Sequence, residues 1–430
     1  MKEKKTIEER IRGRRARKPG FLYTLLGGVW RAFVFPKYRV EYRFLTDIKG
    51  DRGPYLLISN HASRLDYIFT GVPMLPARMN YVAGYNEFHR SHLKGVFGLL
   101  RVIPKKNFVP DLNTIRSVDR VIKDGGRVCI FPEGMSSISG ANQPVAVGTG
   151  HFLKRYRVPV YYALIKGGYL TSPKYNLKDR PGKVEVTFDR LFTPEELEAL
   201  TPAEVEARVN AALYHDDYEW NLTAKNRYAI GEHGAEHLED LLFLCPRCRR
   251  RHTMLGEGNT IRCTACGNGA TLDETYALTP LDETSVIPRT QTAWFRLQRE
   301  VIAEEVKAPD FCLTEEVKLG TLPKHRFLKN QATSEIVGEG RLTLTREGLT
   351  YEGTREGEAF TFFIPSAALP TYGMCTDVSR FYTFYHGEFM EFYPLKSTVE
   401  EFFLATEEIH RLGGGPWQDF PAEVLRQAEA

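Results

Sequence analysis

The sequence predicts an α/β protein. A mostly parallel sheet flanked by helices spans about residues 39–230, and a small cysteine-rich insert spans about 240–275. A connector with one helix follows over 276–309, and a β-rich barrel closed by a C-terminal helix over 310–430. Three observations predict this. Short apolar runs of strand length alternate with helical periodicity in the first part. Two Cys-x-x-Cys pairs mark the insert. Aromatic and β-branched runs separated by turn signals fill the last part. The chain has 430 residues, 42% apolar and 26% charged, enough for two or three packed domains and outside the composition of a disordered chain.

Residues 1–38 read as a basic arm and an amphipathic helix. The first twenty residues carry nine Lys/Arg against three Glu, a charge of +6 within a net +4, so the remainder is close to −2. Positive charge is therefore concentrated in a tail rather than spread along a nucleic-acid groove. The run from Phe21 to Trp30 is apolar, Arg31 interrupts it and Pro36 ends it. That is shorter than the roughly 20 residues a membrane span needs, and no signal-peptide cleavage pattern follows. Such an arm and helix suit docking on an anionic membrane surface, at about 1 kcal/mol per basic residue. The alternative is a solvated tail and a core helix.

The apolar runs Tyr55–Ile58, Leu99–Ile103, Val128–Phe131 and Val158–Leu164 read as buried strands. Between the second and third, Ile115, Val118, Val121 and Ile122 recur at helical spacing, and Gly125-Gly126 stops the helix. Thr193-Pro194 and Thr201-Pro202 open two capped helices that end near Tyr218–Trp220. The connector helix is expected over Trp294–Val306. Strands follow at Leu342–Leu344, Leu349–Tyr351, Phe360–Phe362, Phe381–Phe384 and Phe389–Phe392. The closing helix has a capping box at Ser397 and Glu400 and an apolar stripe of Val399, Phe402, Phe403, Ile409 and Leu412.

Chemistry concentrates at Asn60-His61-Ala62-Ser63-Arg64-Leu65-Asp66, where the first strand runs out. Open α/β sheets bind ligands at the carboxyl ends of their strands. A histidine can take the proton of an attacking alcohol at neutral pH, and a carboxylate can fix its tautomer and stabilise the imidazolium. Residues five apart lie about 140° apart around an ideal helix. His61 and Asp66 therefore meet only if His61 is in the turn and Asp66 in the first helical turn. A capping Asn or Ser with an incidental His and Asp is the competing reading. Phe131-Pro132-Glu133-Gly134, followed by Met135-Ser136-Ser137, is either a plain strand-to-loop turn or a loop offering N–H and hydroxyl donors to a phosphate.

NHASRLD and FPEG, about 65 residues apart, resemble the first and third signature blocks of the glycerolipid acyltransferase family, which includes 1-acyl-sn-glycerol-3-phosphate acyltransferases. Gly98-Leu-Leu-Arg-Val-Ile-Pro-Lys105-Lys106 is similar to the second block, and Val158–Leu164 to the fourth. The resemblance covers about residues 20–225. It implies a glycerol-phosphate-acyltransferase-like fold and transfer of a fatty acyl group from acyl-CoA or acyl-carrier-protein to the hydroxyl of a lysophospholipid of the 1-acylglycerol-3-phosphate type. The implied reaction belongs to phospholipid synthesis at the cytoplasmic face of the cell membrane, with no catalytic metal and no covalent acyl-enzyme. His61 would be the general base and Asp66 its partner. The substrate-binding set would be Asn60, Ser63, Arg64, Lys105, Lys106, Glu133, Gly134, Ser136, Ser137 and Pro159. Two departures bear on the acceptor. The family continues FPEG with Thr-Arg-Ser, so Ser136 stands where an arginine is expected, and Lys105 and Lys106 stand where arginine is common. Either Arg64 and Lys166 fill in, or the acceptor is something other than a lysophosphatidate. A non-catalytic lipid- or partner-binding scaffold and transfer to a non-glycerol hydroxyl are the alternatives.

Cys245-Pro-Arg-Cys248 and Cys263-Thr-Ala-Cys266 have the spacing of two zinc knuckles. Four thiolates close a tetrahedral Zn2+ site, so the expected ribbon is structural, with about 10–16 kcal/mol of binding to fold a segment that has little core of its own. Seven cysteines, four of them at metal spacing, indicate a reducing compartment. Arg247, Arg249, Arg250, Arg251 and His252 cluster there, but ribbons commonly serve as spacers or protein contacts, so no nucleic-acid role is assigned. Cys129, Cys312 and Cys375 are expected to be core thiols. The C-terminal domain looks like a pleckstrin-homology-type barrel, its aromatic residues core rather than lipid site.

Overall fold

The computed structural model describes residues 5–330, 332–374 and 377–414. Two helices open it, α1 (Ile7–Arg12) and α2 (Leu22–Lys37). Thr6 and Glu9 form a capping box on α1, and Ile7 and Ile11 are buried. The arm is thus partly folded in, and the Ile7 N–H donates to the Lys324 carbonyl at 2.8 Å. Helix α2 buries Tyr23, Gly27 and Phe35 but leaves Phe21, Leu22, Leu25, Val29 and Phe33 more than half exposed. Among the described residues no helix is long and apolar enough to cross a membrane.

The next elements are β1 (Val40–Phe44), β2 (Leu56–Ser59), α3 (Asp66–Gly71), β3 (Met79–Gly84), α4 (Lys94–Leu100), β4 (Ile103–Lys105), α5 (Leu112–Lys123) and β5 (Arg127–Ile130). They are followed by α6 (Thr149–Tyr156), β6 (Val160–Lys166), β7 (Val184–Phe192), α7 (Pro194–Ala199), α8 (Pro202–Leu213) and α9 (Asp217–Ala224). The strands form one sheet in the order β1-β7-β6-β2-β5-β3-β4. Every neighbour pair is parallel except β6 with β7. The central strand β2 is buried on both faces, which is why its residues are continuously apolar.

Two expectations are corrected here. Leu99 and Leu100 end helix α4, and Arg101 turns left-handed at φ 54 before the short strand β4 begins. A five-residue apolar run reads the same for a buried helix end and a strand. The capped helices α7 and α8 form as expected, each with a capping box and Pro in the first turn. The second stops at Leu213, however, and Asp216 caps a third helix, α9. Strands β1, β3 and β7 were not anticipated.

The middle of the chain holds α10 (Leu238–Leu241) and an antiparallel sheet of β8 (Met254–Glu257), β9 (Thr260–Cys263), β10 (Gly269–Leu272) and β11 (Leu278–Pro280). Helix α11 (Gln291–Glu305) starts before the expected Trp294 because Thr290 caps it. The last part contains β12 (Cys312–Thr321), β13 (Glu335–Thr345), β14 (Gly348–Arg355), β15 (Glu358–Pro365), β16 (Phe381–Tyr385), β17 (Glu388–Pro394) and α12 (Val399–Leu412). These strands form a curled antiparallel sheet in the order β15-β14-β13-β12-β17-β16. Among the described residues no ladder joins the edges β15 and β16. Phe362 of β15 instead stacks on Tyr385 of β16 at 4.8 Å.

Helix α12 departs from a simple amphipathic stripe. Glu400, Glu401, Glu407 and Glu408 are buried along with its apolar residues, and Leu412 is 40% exposed. Arg299 of α11 donates to Glu407 at 2.6 Å and to Glu408 at 3.1 Å. No capping box forms. Ser397 Oγ donates to Asp240 across the fold at 2.7 Å, and Thr398 occupies the cap without a side-chain bond to the helix. Cys129 is buried, Cys312 is exposed, and Cys375 lies outside the described residues. Phe188, Phe243, Trp294 and Phe402, from all four regions, share one apolar core.

Candidate active site

Strand β2 delivers the chain to the carboxyl edge of the sheet, where it turns between Ser59 and α3. Asp66 is the first residue of α3 and is 1% exposed. The Ser63 N–H donates to both Asp66 oxygens, at 3.0 and 2.9 Å, and Ser63 Oγ donates to Oδ1 at 2.8 Å. These three hydrogen bonds, from two donors, lock the carboxylate. His61 Nδ1 lies 2.8 Å from Asp66 Oδ2. An ionised carboxylate only accepts, so the proton sits on Nδ1 and leaves Nε2 as the basic nitrogen. Phe131 stacks on the imidazole at 4.6 Å, with 27° between planes. His61 lines a cavity and retains 24% side-chain exposure.

The backbone of His61 is held as firmly as its ring. Glu133 is fully buried. Its Oε1 accepts the His61 N–H at 2.6 Å and its Oε2 the Gln143 N–H at 2.7 Å. Burial pushes the Glu133 carboxyl up, against the pull of those two donors. The Ser137 N–H donates to the His61 carbonyl at 2.7 Å. Asn60 clamps the end of β2 to β6, accepting from the Ile165 N–H and donating to its carbonyl, both at 2.8 Å.

The cavity has a volume of about 780 Å³. Its apolar lining includes Val96, Phe97 and Leu100 of α4, Ile115 of α5 and Phe152 of α6. Its polar lining includes His61, Ser63, Arg64, Lys105, Gly134, Ser136 and Ser137 from the expected set. Gly134 has φ +83, and a Cβ there would meet the Phe108 ring at 3.1 Å, so the tight turn requires glycine. Burial pulls the Lys105 ammonium down.

Four residues expected to bind substrate lie outside this lining. Asn60 and Glu133 are braces, as described. The Lys106 ammonium turns to the C-terminal sheet, where it donates to the Gly387 carbonyl at 2.5 Å and lies over the Tyr85 and Phe384 rings. Pro159 precedes β6, and its carbonyl accepts from the Leu56 N–H at the start of β2. It sits at the amino edge of the sheet, a strand length of roughly 10–15 Å from the His61 edge. Lys166, at the end of β6, is not in the lining either.

Sequence reasoning missed several lining residues: Glu87, Arg90, Asn107, Lys174, Met374 and Tyr382. None lies in a motif, and the last two come from the C-terminal region.

The four cysteine sulfurs of Cys245, Cys248, Cys263 and Cys266 lie within 4.8 Å of one another. Cys245 and Cys266 are 3.7 Å apart, Cys248 and Cys263 3.8 Å. Tetrahedral Zn–S bonds of about 2.3 Å require sulfurs about 3.8 Å apart, so the cluster fits a metal ion of that size. Each Cys-x-x-Cys turn closes alike. Arg249 N–H donates to the Cys245 carbonyl at 3.0 Å and Gly267 N–H to the Cys263 carbonyl at 2.9 Å, with φ positive at both donors.

Residues 39–165 match the Acyltransferase family model. This segment contains His61, Asp66, Lys105 and Glu133, and the match supports the acyltransferase family for it. Among solved structures, the chain is similar to the 1-acyl-sn-glycerophosphate (LPA) acyltransferase PlsC from Thermotoga maritima, with 21% identity over 45% of this chain and 77% of that one and a TM-score of 0.33.

Proposed function

We propose that the protein is an O-acyltransferase that moves a fatty acyl group from the thioester of acyl-CoA or acyl-carrier-protein to the hydroxyl of a lysophospholipid. The observation that carries this reading is the His61–Asp66 pair, 2.8 Å apart, opening into a largely apolar cavity of about 780 Å³ within the segment that matches the acyltransferase family. His61 Nε2 takes the proton of the acceptor hydroxyl as its oxygen attacks the thioester carbonyl. Asp66 stabilises the imidazolium that forms. The tetrahedral intermediate collapses with cleavage of the C–S bond, and the imidazolium returns the proton to the departing thiolate. The apolar lining takes up an acyl chain and excludes water that would hydrolyse the thioester.

The protein would work as a peripheral enzyme at the anionic cytoplasmic face of the cell membrane. Phe21, Leu25, Val29 and Phe33 recur every four residues on one exposed side of α2, the pattern of a helix lying in the interface. The four thiolates would hold a structural Zn2+ with no position left for substrate.

The test incubates purified protein and anionic vesicles with acyl-CoA and acyl-carrier-protein donors and a panel of lysolipids, with products read by mass spectrometry. His61→Ala is expected to lower turnover by at least ~10²-fold. Full transfer by that variant rejects the assignment.

A further inference from the structure

We propose that Lys174 and Arg90 form the subsite for the phosphate of the acceptor, and that the C-terminal sheet walls this subsite. The proposal rests on the acyltransferase reading and names the residues that would select the acceptor.

Lys174 follows a short 3-10 turn at Tyr169–Thr171 and is 5% exposed, yet it lines the cavity. Its ammonium donates to Ser136 Oγ at 3.0 Å and to the Met374 carbonyl at 3.4 Å. Ser136 is the neighbour of Ser137, whose N–H holds the His61 carbonyl. Lys174 thus brings a positive charge, from a distant stretch of chain, to the loop position where the sequence pattern leads one to expect an arginine. Arg90 is 9% exposed and also lines the cavity. Its Nη1 donates to Glu87 at 2.9 Å, and its buried Nε has no hydrogen-bond partner among the described residues.

The charge balance of the lining points the same way. Arg64, Arg90, Lys105 and Lys174 face two carboxylates, Glu87 and Asp111. Asp111 is committed elsewhere, since it caps α5 and accepts the Lys106 N–H. Glu87 accepts from Arg90 at 2.9 Å. The lining still carries more cations than carboxylates, a balance that suits an anionic ligand group better than an uncharged one.

The acceptor is favoured over the donor as the source of the phosphate. The phosphates of a thioester donor are separated from the reacting carbonyl by the whole pantetheine arm, whereas Lys174 lies beside the loop that holds His61. The C-terminal region also reaches this cavity. Met374 and Tyr382 of the C-terminal region complete the lining, and Asn107 Nδ2 bridges the Gly134 carbonyl at 2.8 Å and the Tyr382 hydroxyl at 3.2 Å.

Two measurements test the proposal. In the first, kcat/KM is compared for 1-acylglycerol-3-phosphate and for uncharged 1-acylglycerol with one donor. Lys174→Met is expected to cut the preference for the phosphate-bearing acceptor by at least ~10-fold, the loss of one charge-assisted hydrogen bond, and Lys174→Arg to restore most of it. An unchanged preference, or a rise confined to the donor KM, overturns the assignment. In the second, calorimetric binding of 1-acylglycerol-3-phosphate is measured on the His61→Ala protein, where no turnover occurs. Adding Lys174→Met or Arg90→Gln should weaken binding at least ~10-fold, and equal binding overturns the subsite. A wild-type protein that transfers no acyl group to any acceptor rejects the acyltransferase reading, while the binding measurement still decides the subsite.

Discussion

His61 and Asp66 differ from the residues around them in what holds them. Asp66 receives three hydrogen bonds from Ser63 before it meets the imidazole, so its position is set independently of His61. Asp66→Asn would turn an amide N–H2 toward donors on one side. We expect a loss of turnover of at least ~10²-fold from the misdirected tautomer, read in the mass-spectrometric assay on protein that still melts cooperatively. Glu133 separates two readings. As a brace it accepts two backbone N–H groups, one on each oxygen. Glu133→Gln can satisfy only one of them and should cost about 1–3 kcal/mol of stability, read from the denaturation midpoint. If the midpoint holds and only the acceptor KM rises, the sequence-based expectation of an acceptor contact is right after all.

At the scale of elements, α2 and the cysteine segment each carry a prediction. The outward residues of α2 are more than half exposed, so replacing them should leave the fold alone. The double substitution Val29→Glu and Phe33→Glu is expected to change stability by less than about 0.5 kcal/mol and to abolish sedimentation with anionic vesicles. Undiminished vesicle binding would put membrane contact elsewhere. The cysteine segment is tied to two helices. Arg251 pairs with Glu305 of α11 and Glu401 of α12, and His252 meets Glu401 at 2.9 Å. Cys263→Ser should therefore lose one equivalent of zinc per chain, read by mass spectrometry of the metal, and lower the melting temperature of the whole protein. Wild-type protein purified without metal would remove the zinc assignment.

Across the whole molecule, the regions do not behave as beads on a string. One apolar core runs through the parallel sheet, the cysteine segment, α11 and the last sheet. The Lys106 contact with Gly387 and the bridge between Ser91 N–H and the Leu328 carbonyl at 2.9 Å fasten the C-terminal region beside the cavity. Truncation after residue 230 uncovers this core and one wall of the cavity. The fragment is expected to aggregate or to lack transferase activity, measured by size-exclusion chromatography and the acyl-transfer assay. A soluble, fully active fragment would show that the C-terminal region is dispensable.

Local patterns alone were enough to read the buried central strands, the capping boxes of α7 and α8, and the paired cysteine turns, and they stated the one local geometry in which His61 could meet Asp66. Each is decided within about ten residues of chain, where periodicity, caps and spacing act directly. Tertiary structure decided the rest. Asn60, Glu133 and Lys106 carry the residue types of a binding site, yet each is engaged by a partner far along the chain. Pro159 lies at the wrong edge of the sheet because β6 runs parallel to β2. Arg90, Lys174, Met374 and Tyr382 belong to no motif and reach the cavity only through long-range packing. Four glutamates of α12 are buried, two of them because Arg299, about a hundred residues earlier, answers their charge. A side chain's chemistry is written in its own residue, but its partner is chosen by the fold, and the fold brings together groups between which the chain carries no local signal.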